Sequence, residues 1–305
     1  MFKPVVILCS HNGESYIEEQ LKSILSQTCI PDRICVFDFD SSDRTRVLVK
    51  GVQKSLGSSN IIELVTLNYA HGAANSFFAS MKMLKNTIDN DCLIFFCDQD
   101  DIWDEKKIYT QISDYEHSVI PYLSFHDVNV TDSDGTIIHN DYFRGSPYIL
   151  PDDVSIDRLI LGNCVIGHTM MINISLFNIL VNIESENYLM HDWAAILYAS
   201  KFGKINYHDI PLTYYRQHEN NVLGVSGSSS IKLPSLVHLH RYSKLIKKQV
   251  LTFLLQSECS GVKSINEVST QLISGGKLSR CQLFFHALRF SKTIRSKLFA
   301  FLFLF

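Results

Sequence analysis

The sequence predicts an α/β fold, a mostly parallel sheet flanked by helices and followed by a C-terminal helical tail. Three observations predict it. Short apolar runs alternate with amphipathic helical patterns through the first hundred residues, the βαβ rhythm of a doubly wound sheet. Carboxylates recur where those runs end. Neither common glycine-rich phosphate loop is present: no G-x-G-x-x-G follows the first run, and no G-x-x-x-x-G-K-[ST] occurs anywhere.

Taken in order, Val5–Cys9 reads as the first strand. The loop Ser10-His-Asn12-Gly13-Glu14 follows, with Gly13 permitting a tight turn. Ser15-x-x-Glu18 has the form of a capping box, and Ile17, Leu21, Ile24 and Leu25 make the inner stripe of the helix it opens. Arg33–Phe37 is a second strand ending at Asp38. Asp43 is placed to cap the helix containing Val47 and Val49. Ile61–Leu67 is a third strand, and a helix runs from Gly72 through Leu84.

The next apolar run, Leu93–Cys97, ends in three acids within four residues, Asp98-Gln-Asp100-Asp101. In an open α/β sheet, ligands sit outside the carboxyl ends of the strands. Acids crowded at that edge repel one another unless a cation or a ligand shares them. Oxygen-only donors suit a hard ion, Mg2+ or Mn2+, and such ions bridge to diphosphate oxygens.

Beyond the acids the pattern gives a helix at Glu105–His117, a strand at Tyr122–Val130 and a turn at Asp134-Gly135. A strand at His168–Ile172 and a helix at Ser175–Val181 follow. His191-Asp192-Trp193 opens the helix Ala194–Lys201, and Pro211–Tyr215 is a strand leading into Arg216-Gln-His218. Gly227-Ser-Ser-Ser230 reads as a linker, which divides the chain into residues 1–227 and a helical tail, 228–305.

The net charge of −3 gives no sign of a nucleic-acid partner, but the charge is unevenly placed. From Ser228 onward twelve Lys/Arg face only Glu258 and Glu267, a balance of about +10 that leaves about −13 on the first 227 residues. The eight cysteines include no C-x-x-C pair, as expected in a reducing compartment. The apolar run at the start is too short for a signal peptide, and no segment has the roughly 20 apolar residues of a membrane span.

Seven stretches, in order, carry a resemblance. They are Ser10-His-Asn-Gly-Glu14, Gln20-Leu-x-Ser-Ile-Leu-x-Gln-Thr28, Asp38-x-x-Ser-Ser-Asp43-x-Thr45, Asn68-x-x-x-Gly72-x-x-Asn75, Asp98-Gln-Asp-Asp-Ile-Trp103, His191-Asp192-Trp193 and Tyr215-Arg-Gln-His-x-Asn-Asn-x-x-Gly224. The chain resembles the family 2 inverting glycosyltransferases of the GT-A fold, particularly the bacterial enzymes of O-antigen and capsule synthesis. The family commonly has Asp-Asp-Gly-Ser after the second strand. Here Phe39 replaces the second acid and Asp40 the glycine.

The resemblance implies a metal-assisted transfer of glucose, galactose or rhamnose from a UDP or dTDP donor to an undecaprenyl-diphosphate-linked saccharide. Asp192 would be the general base. Asp100 would bind the metal, with Asp98 toward the metal or the ribose. Ser10, Asn12, Glu14 and Asp38 would line the nucleotide. Arg216 would close over the diphosphate, and His218 would contact either diphosphate or metal. His191 and Trp193 would pack or touch the acceptor. Two other readings use the same residue types: a non-catalytic nucleotide-sugar or saccharide-binding module, and a metal-dependent phosphohydrolase, an all-α class marked by His-Asp dipeptides such as His126-Asp127 and His191-Asp192.

The tail adds Leu236–Leu255 and Gln282–Phe305 as helices. A basic amphipathic helix is expected to lie on a membrane surface, here the inner leaflet on the cytoplasmic side; packing on the preceding domain is the alternative.

Overall fold

The computed structural model describes residues 2–55, 60–69, 72–145, 154–159, 162–218 and 236–258. Within them lies one mixed sheet. Its strands are β1 (Lys3–Ser10), β2 (Arg33–Phe39), β3 (Ile62–Leu67), β4 (Cys92–Cys97), β5 (Ile102–Trp103), β6 (Tyr122–Thr131), β7 (Ile137–His139), β8 (Met171–Asn173) and β9 (Lys204–Arg216). The order across the sheet is β3-β2-β1-β4-β8-β6-β9-β5, with β7 paired to β6 at the side. β3, β2, β1 and β4 are parallel, and β8 then enters antiparallel to both β4 and β6.

β1 and β4 are buried on both faces, which is why they read as unbroken apolar runs rather than alternating ones. Alternate residues feed two cores. Val6, Leu8, Ile34 and Val36 meet α1 (Ile17–Leu25), α2 (Thr45–Ser55) and α4 (Lys107–Ser113) on one face. Val5, Ile7, Cys35 and Phe37 meet α3 (Ala73–Leu84), α7 (Ile174–Leu180) and α8 (His191–Phe202) on the other. The helix α9 (Leu236–Glu258) adds Ile246, Val250, Phe253 and Leu254 to that second core, so this part of the expected tail is built onto the α/β unit. Residues 282–305, the expected membrane-surface helix, lie outside the described residues. No helix among the described residues is long and apolar enough to cross a membrane.

Several local expectations change. The Ser15–Glu18 capping box does not form: α1 starts at Ile17, and the Gly13 carbonyl accepts the Tyr16 and Ile17 N–H groups at 3.0 Å each. Backbone closure of the turn leaves the Ser15 side chain no role as a cap. Asp43 does cap, accepting the Thr45 N–H at 2.9 Å. The helix expected at Glu105–His117 is confined to Lys107–Ser113. His168 lies in a single 3-10 turn, Gly167–Thr169, ahead of β8.

The longest strand was half hidden. β9 extends back to Lys204, because its polar alternation pairs with β6 in parallel while Pro211 sits at a register break opposite Asp127. Two-residue β5 is too short to show a period, yet it decides the site. By pairing Ile102 with Tyr214 and Trp103 with Thr213, it brings the loop after β4 beside the end of β9.

Candidate active site

Parallel pairing sets the rim. Ser10 lies opposite Asp38, and Leu8 opposite Cys97, so β2, β1 and β4 deliver Asp38, Ser10 and Asp98 to the same edge of the sheet. That edge is where an open α/β sheet binds ligands.

On the β2 side, Asp38 is fully buried. It pairs with Arg46 and accepts the Ser10 hydroxyl at 3.1 Å and the Ser41 hydroxyl at 2.5 Å. Asn12 is exposed, with φ of +50°, and its side-chain Oδ1 accepts the Ser42 N–H at 2.9 Å. The Glu14 carboxylate accepts the Arg44 N–H at 2.9 Å. Asp40, which replaces the family's usual glycine, has φ of +57°. The position demands a left-handed residue, and Asp tolerates that conformation where most side chains do not. Phe39 is buried edge-on to Tyr69.

Gln99 ties this loop to the acids. Its amide accepts the His11 N–H at 2.9 Å and donates to the His11 carbonyl at 3.1 Å. A Cβ at position 13 would lie 2.3 Å from Gln99 Oε1, so an alanine there displaces the Gln99 amide. Gly13→Ala is therefore expected to break the two hydrogen bonds Gln99 makes to the His11 backbone, a stability loss of about 1 kcal/mol. Thermal melts check it.

The acid loop divides into a sealed pair and an accessible group. Asp101 and His168 both have side chains at 0% exposure, 2.7 Å apart. The contact is an ion pair without good hydrogen-bond alignment. Burial opposes protonation of His168, but Asp101 and then Asp98 outweigh it and raise its pKa. Beneath them Lys107 is fully buried, its ammonium donating to the His168 carbonyl at 2.6 Å and the Thr213 hydroxyl at 3.2 Å, 3.7 Å from the Trp103 ring centre. Burial lowers the Lys107 pKa to about 7.

Asp98 is half-buried, and Asp100 and His218 keep 15% and 11% side-chain exposure. His218 Nε2 lies 2.9 Å from Asp100 Oδ2. Burial raises the pKa of Asp98 to about 7; Asp101, Asp100 and Asp192 reinforce the shift, and His168 opposes it. Asp100 is raised too, by burial and by Asp101, against its bond to His218. Half-buried acids held this way gain from a compensating positive charge, and two carboxylates with an imidazole are a donor set that suits a divalent cation. One donor atom each from Asp98, Asp101 and His168 also lie within 4.8 Å of one another. Among the described residues this is the one set of three whose donors converge so closely, but a cation there would have to part the sealed pair; Asp100 and His218 face each other nearer solvent, without Asp98 inside that span.

Asp192 is the second residue of α8 and 3% exposed. It accepts the Trp193 N–H at 2.6 Å, and the Asn163 side chain and the Gly167 backbone also favour its charged form. Burial outweighs these bonds and raises its pKa to about 7. Its carboxyl reinforces the raised pKa of Asp98, so the two acids lie near one another. His191 and Trp193 are packing residues. The His191 ring stacks on Phe77 at 4.1 Å, and burial lowers its pKa to about 3. Trp193 donates its indole N–H to the Leu159 carbonyl at 2.6 Å.

Arg216, expected over a diphosphate, is engaged by protein groups. Its guanidinium donates to the Asp100 carbonyl at 3.1 Å, the Ser133 carbonyl at 2.9 Å and Glu19 at 2.6 Å, and only 6% of the side chain is exposed. Its backbone N–H donates to Asp101 at 3.2 Å. These bonds make it a strut beneath the acid loop. His126 and Asp127 are fully buried within β6, away from any opening. The phosphohydrolase alternative falls with the fold, because its His-Asp dipeptides here sit on a sheet strand and at a helix start. Sequence reasoning missed Gln99, Arg46, Lys107 and His168. Only Gln99, between two motif acids, carried any signal.

A sheet with this strand order and an acidic rim defines the GT-A class, and comparisons with known proteins agree. Residues 5–153 match the family model described as Glycosyl transferase family 2. A glucosyltransferase of Escherichia coli, "UDP-Glc:alpha-D-GlcNAc-diphosphoundecaprenol beta-1,3-glucosyltransferase WfgD", is 30% identical over 66% of this chain and 72% of its own. The "dTDP-rhamnosyl transferase RfbG" of Shigella flexneri is 29% identical over 79% of this chain and 82% of its own. Among solved structures, S. aureus TarS residues 1–349 in complex with UDP-GlcNAc superposes with a TM-score of 0.56 at 16% identity, covering 98% of this chain and 79% of that one. The mannosyltransferase PcManGT of Pyrobaculum calidifontis, in complex with GDP-Man and Mn2+, gives 0.52 at 11%, covering 99% and 86%. The chain belongs to glycosyltransferase family 2.

Proposed function

We propose that this glycosyltransferase moves a hexose or deoxyhexose, with inversion, from a UDP- or dTDP-sugar to a lipid-diphosphate-linked saccharide in surface polysaccharide synthesis. The donor classes follow the activities of RfbG and WfgD, and the acceptor class follows that of WfgD. The observation that carries the reading is the rim itself: parallel pairing delivers Asp38, Ser10 and Asp98 to one edge of the sheet, and Asp192 at the start of α8 is near enough to reinforce the raised pKa of Asp98.

Asp192 accepts the proton of the attacking hydroxyl on the face opposite the departing nucleotide. A base works best when its pKa lies near the operating pH, which burial supplies here. Asp98, Asp100 and His218 would hold a Mg2+ or Mn2+ ion, which would supply positive charge for the leaving diphosphate. Ser10, Asn12, Glu14 and Asp38 shape the wall for base and ribose. Asp38 acts through the hydroxyls it fixes, since Arg46, Ser10 and Ser41 engage its carboxylate. Arg216 supports the acid loop from below. The basic segment 282–305 meets the anionic inner leaflet, where such an acceptor resides.

The test is a screen of UDP- and dTDP-hexoses with Mg2+ or Mn2+ and a synthetic lipid-diphosphate sugar. Transfer from one donor supports the reading, and failure to transfer or hydrolyse any donor overturns it. A raised carboxyl pKa leaves the basic form present above about 7 and removes it below. The kcat–pH profile is therefore expected to show an acid limb with a midpoint near 7, well above the usual carboxylate range. A limb near 4 contradicts the environment assigned to Asp192.

A further inference from the structure

The loop that follows β9 is fastened to the start of α1. The Tyr16 and His218 rings stack with centroids 4.9 Å apart and planes 23° apart. The Arg216 guanidinium carbon lies 4.7 Å from the Tyr16 ring centre. One turn further along α1, Glu19 receives the Arg216 guanidinium at 2.6 Å. Tyr16 is itself anchored, since its N–H donates to the carbonyl of Gly13, the residue against which Gln99 packs.

We propose that Tyr16 is a positioning residue for the cation site, its ring holding the His218 imidazole in the orientation that faces Asp100. The inference rests on the cation-site reading of Asp98, Asp100 and His218 given above. An imidazole ligand binds well only when its ring plane is fixed, a task usually done by a hydrogen-bonded partner in the surrounding shell. Here a flat aromatic face does that work from one side, while Asp100 Oδ2 meets Nε2 at 2.9 Å. Glu19 and Arg216 keep the two segments together, so the ring contact does not depend on loop closure alone. Through Tyr16, the helix that follows the nucleotide loop Ser10–Glu14 also presets the cation loop.

The experiment is a Mn2+ titration of the whole chain, reading free Mn2+ by electron paramagnetic resonance and using the metal alone as probe. Tyr16→Ala and Tyr16→Leu are expected to weaken binding by about tenfold, the usual effect of losing a supporting partner, with Tyr16→Phe close to wild type because it keeps the stacking face. Circular dichroism and melting temperature establish that each variant is folded. His218→Ala is measured alongside. If His218→Ala loses affinity while both Tyr16→Ala and Tyr16→Leu bind as wild type, the positioning role is overturned and the cation site stands. If His218→Ala also binds as wild type, the cation-site reading of His218 falls and the positioning role with it.

Discussion

Replacing Asp192 by Asn is expected to lower kcat by roughly 10²–10⁴-fold, the range supplied by a positioned general base. The donor KM should stay within about twofold, because the lost interaction operates only as the acceptor proton moves. The amide keeps an oxygen for the Trp193 N–H, so the first turn of α8 is preserved. The substitution also removes a charge that burial disfavours, and the melting temperature should not fall. Equal kcat in mutant and wild type would take the base away from Asp192.

Asp100→Ala is expected to act on the other half of the reaction. Asp100 is the half-buried partner of His218, and its backbone carbonyl receives Arg216. Alanine retains that carbonyl, so Arg216 stays in place and the loss is confined to the carboxylate. Activity should fall by roughly 10²–10³-fold, the scale of removing one stabiliser of developing charge. Mn2+ affinity should fall in parallel. The sealed acid Asp101 offers the contrast. It accepts the Arg216 N–H and pairs with His168, so its removal should lower the melting temperature by breaking a buried pair. Normal Mn2+ binding by Asp100→Ala, with loss in a folded Asp101→Asn, would move the cation into the sealed pair.

Much of this was legible in the chain because parallel strands advertise themselves. β1, β2 and β4 are apolar runs that stop at polar residues, and parallel pairing converts those stops into one rim. The departure at Asp40 was visible, and its left-handed backbone explains why a glycine is usual there. The fate of Arg216 was not visible. Its guanidinium is committed to Ser133, Glu19 and the Asp100 carbonyl through the β5–β9 pairing, which no periodicity records. The full burial of Asp38 was equally hidden, since its partner Arg46 lies on the next helix and looks like an ordinary surface cation. His168 was invisible for a related reason, since it reaches the buried acid Asp101 from an element remote in sequence; Lys107, on the helix just after the acids, reads as an ordinary surface cation although it is fully buried.

The central claim is that the acids after β4 and the acid opening α8 serve one nucleotide-sugar cleft. The most direct measurement is a crystal structure of the whole chain with Mn2+ and UDP, the ion located by its anomalous signal. The account predicts that the ion is held by the Asp100 carboxylate, with Asp192 facing the same opening. An ion seated between Asp101 and His168, or a nucleotide bound away from the cleft that Asp98 and Asp192 share, would contradict it.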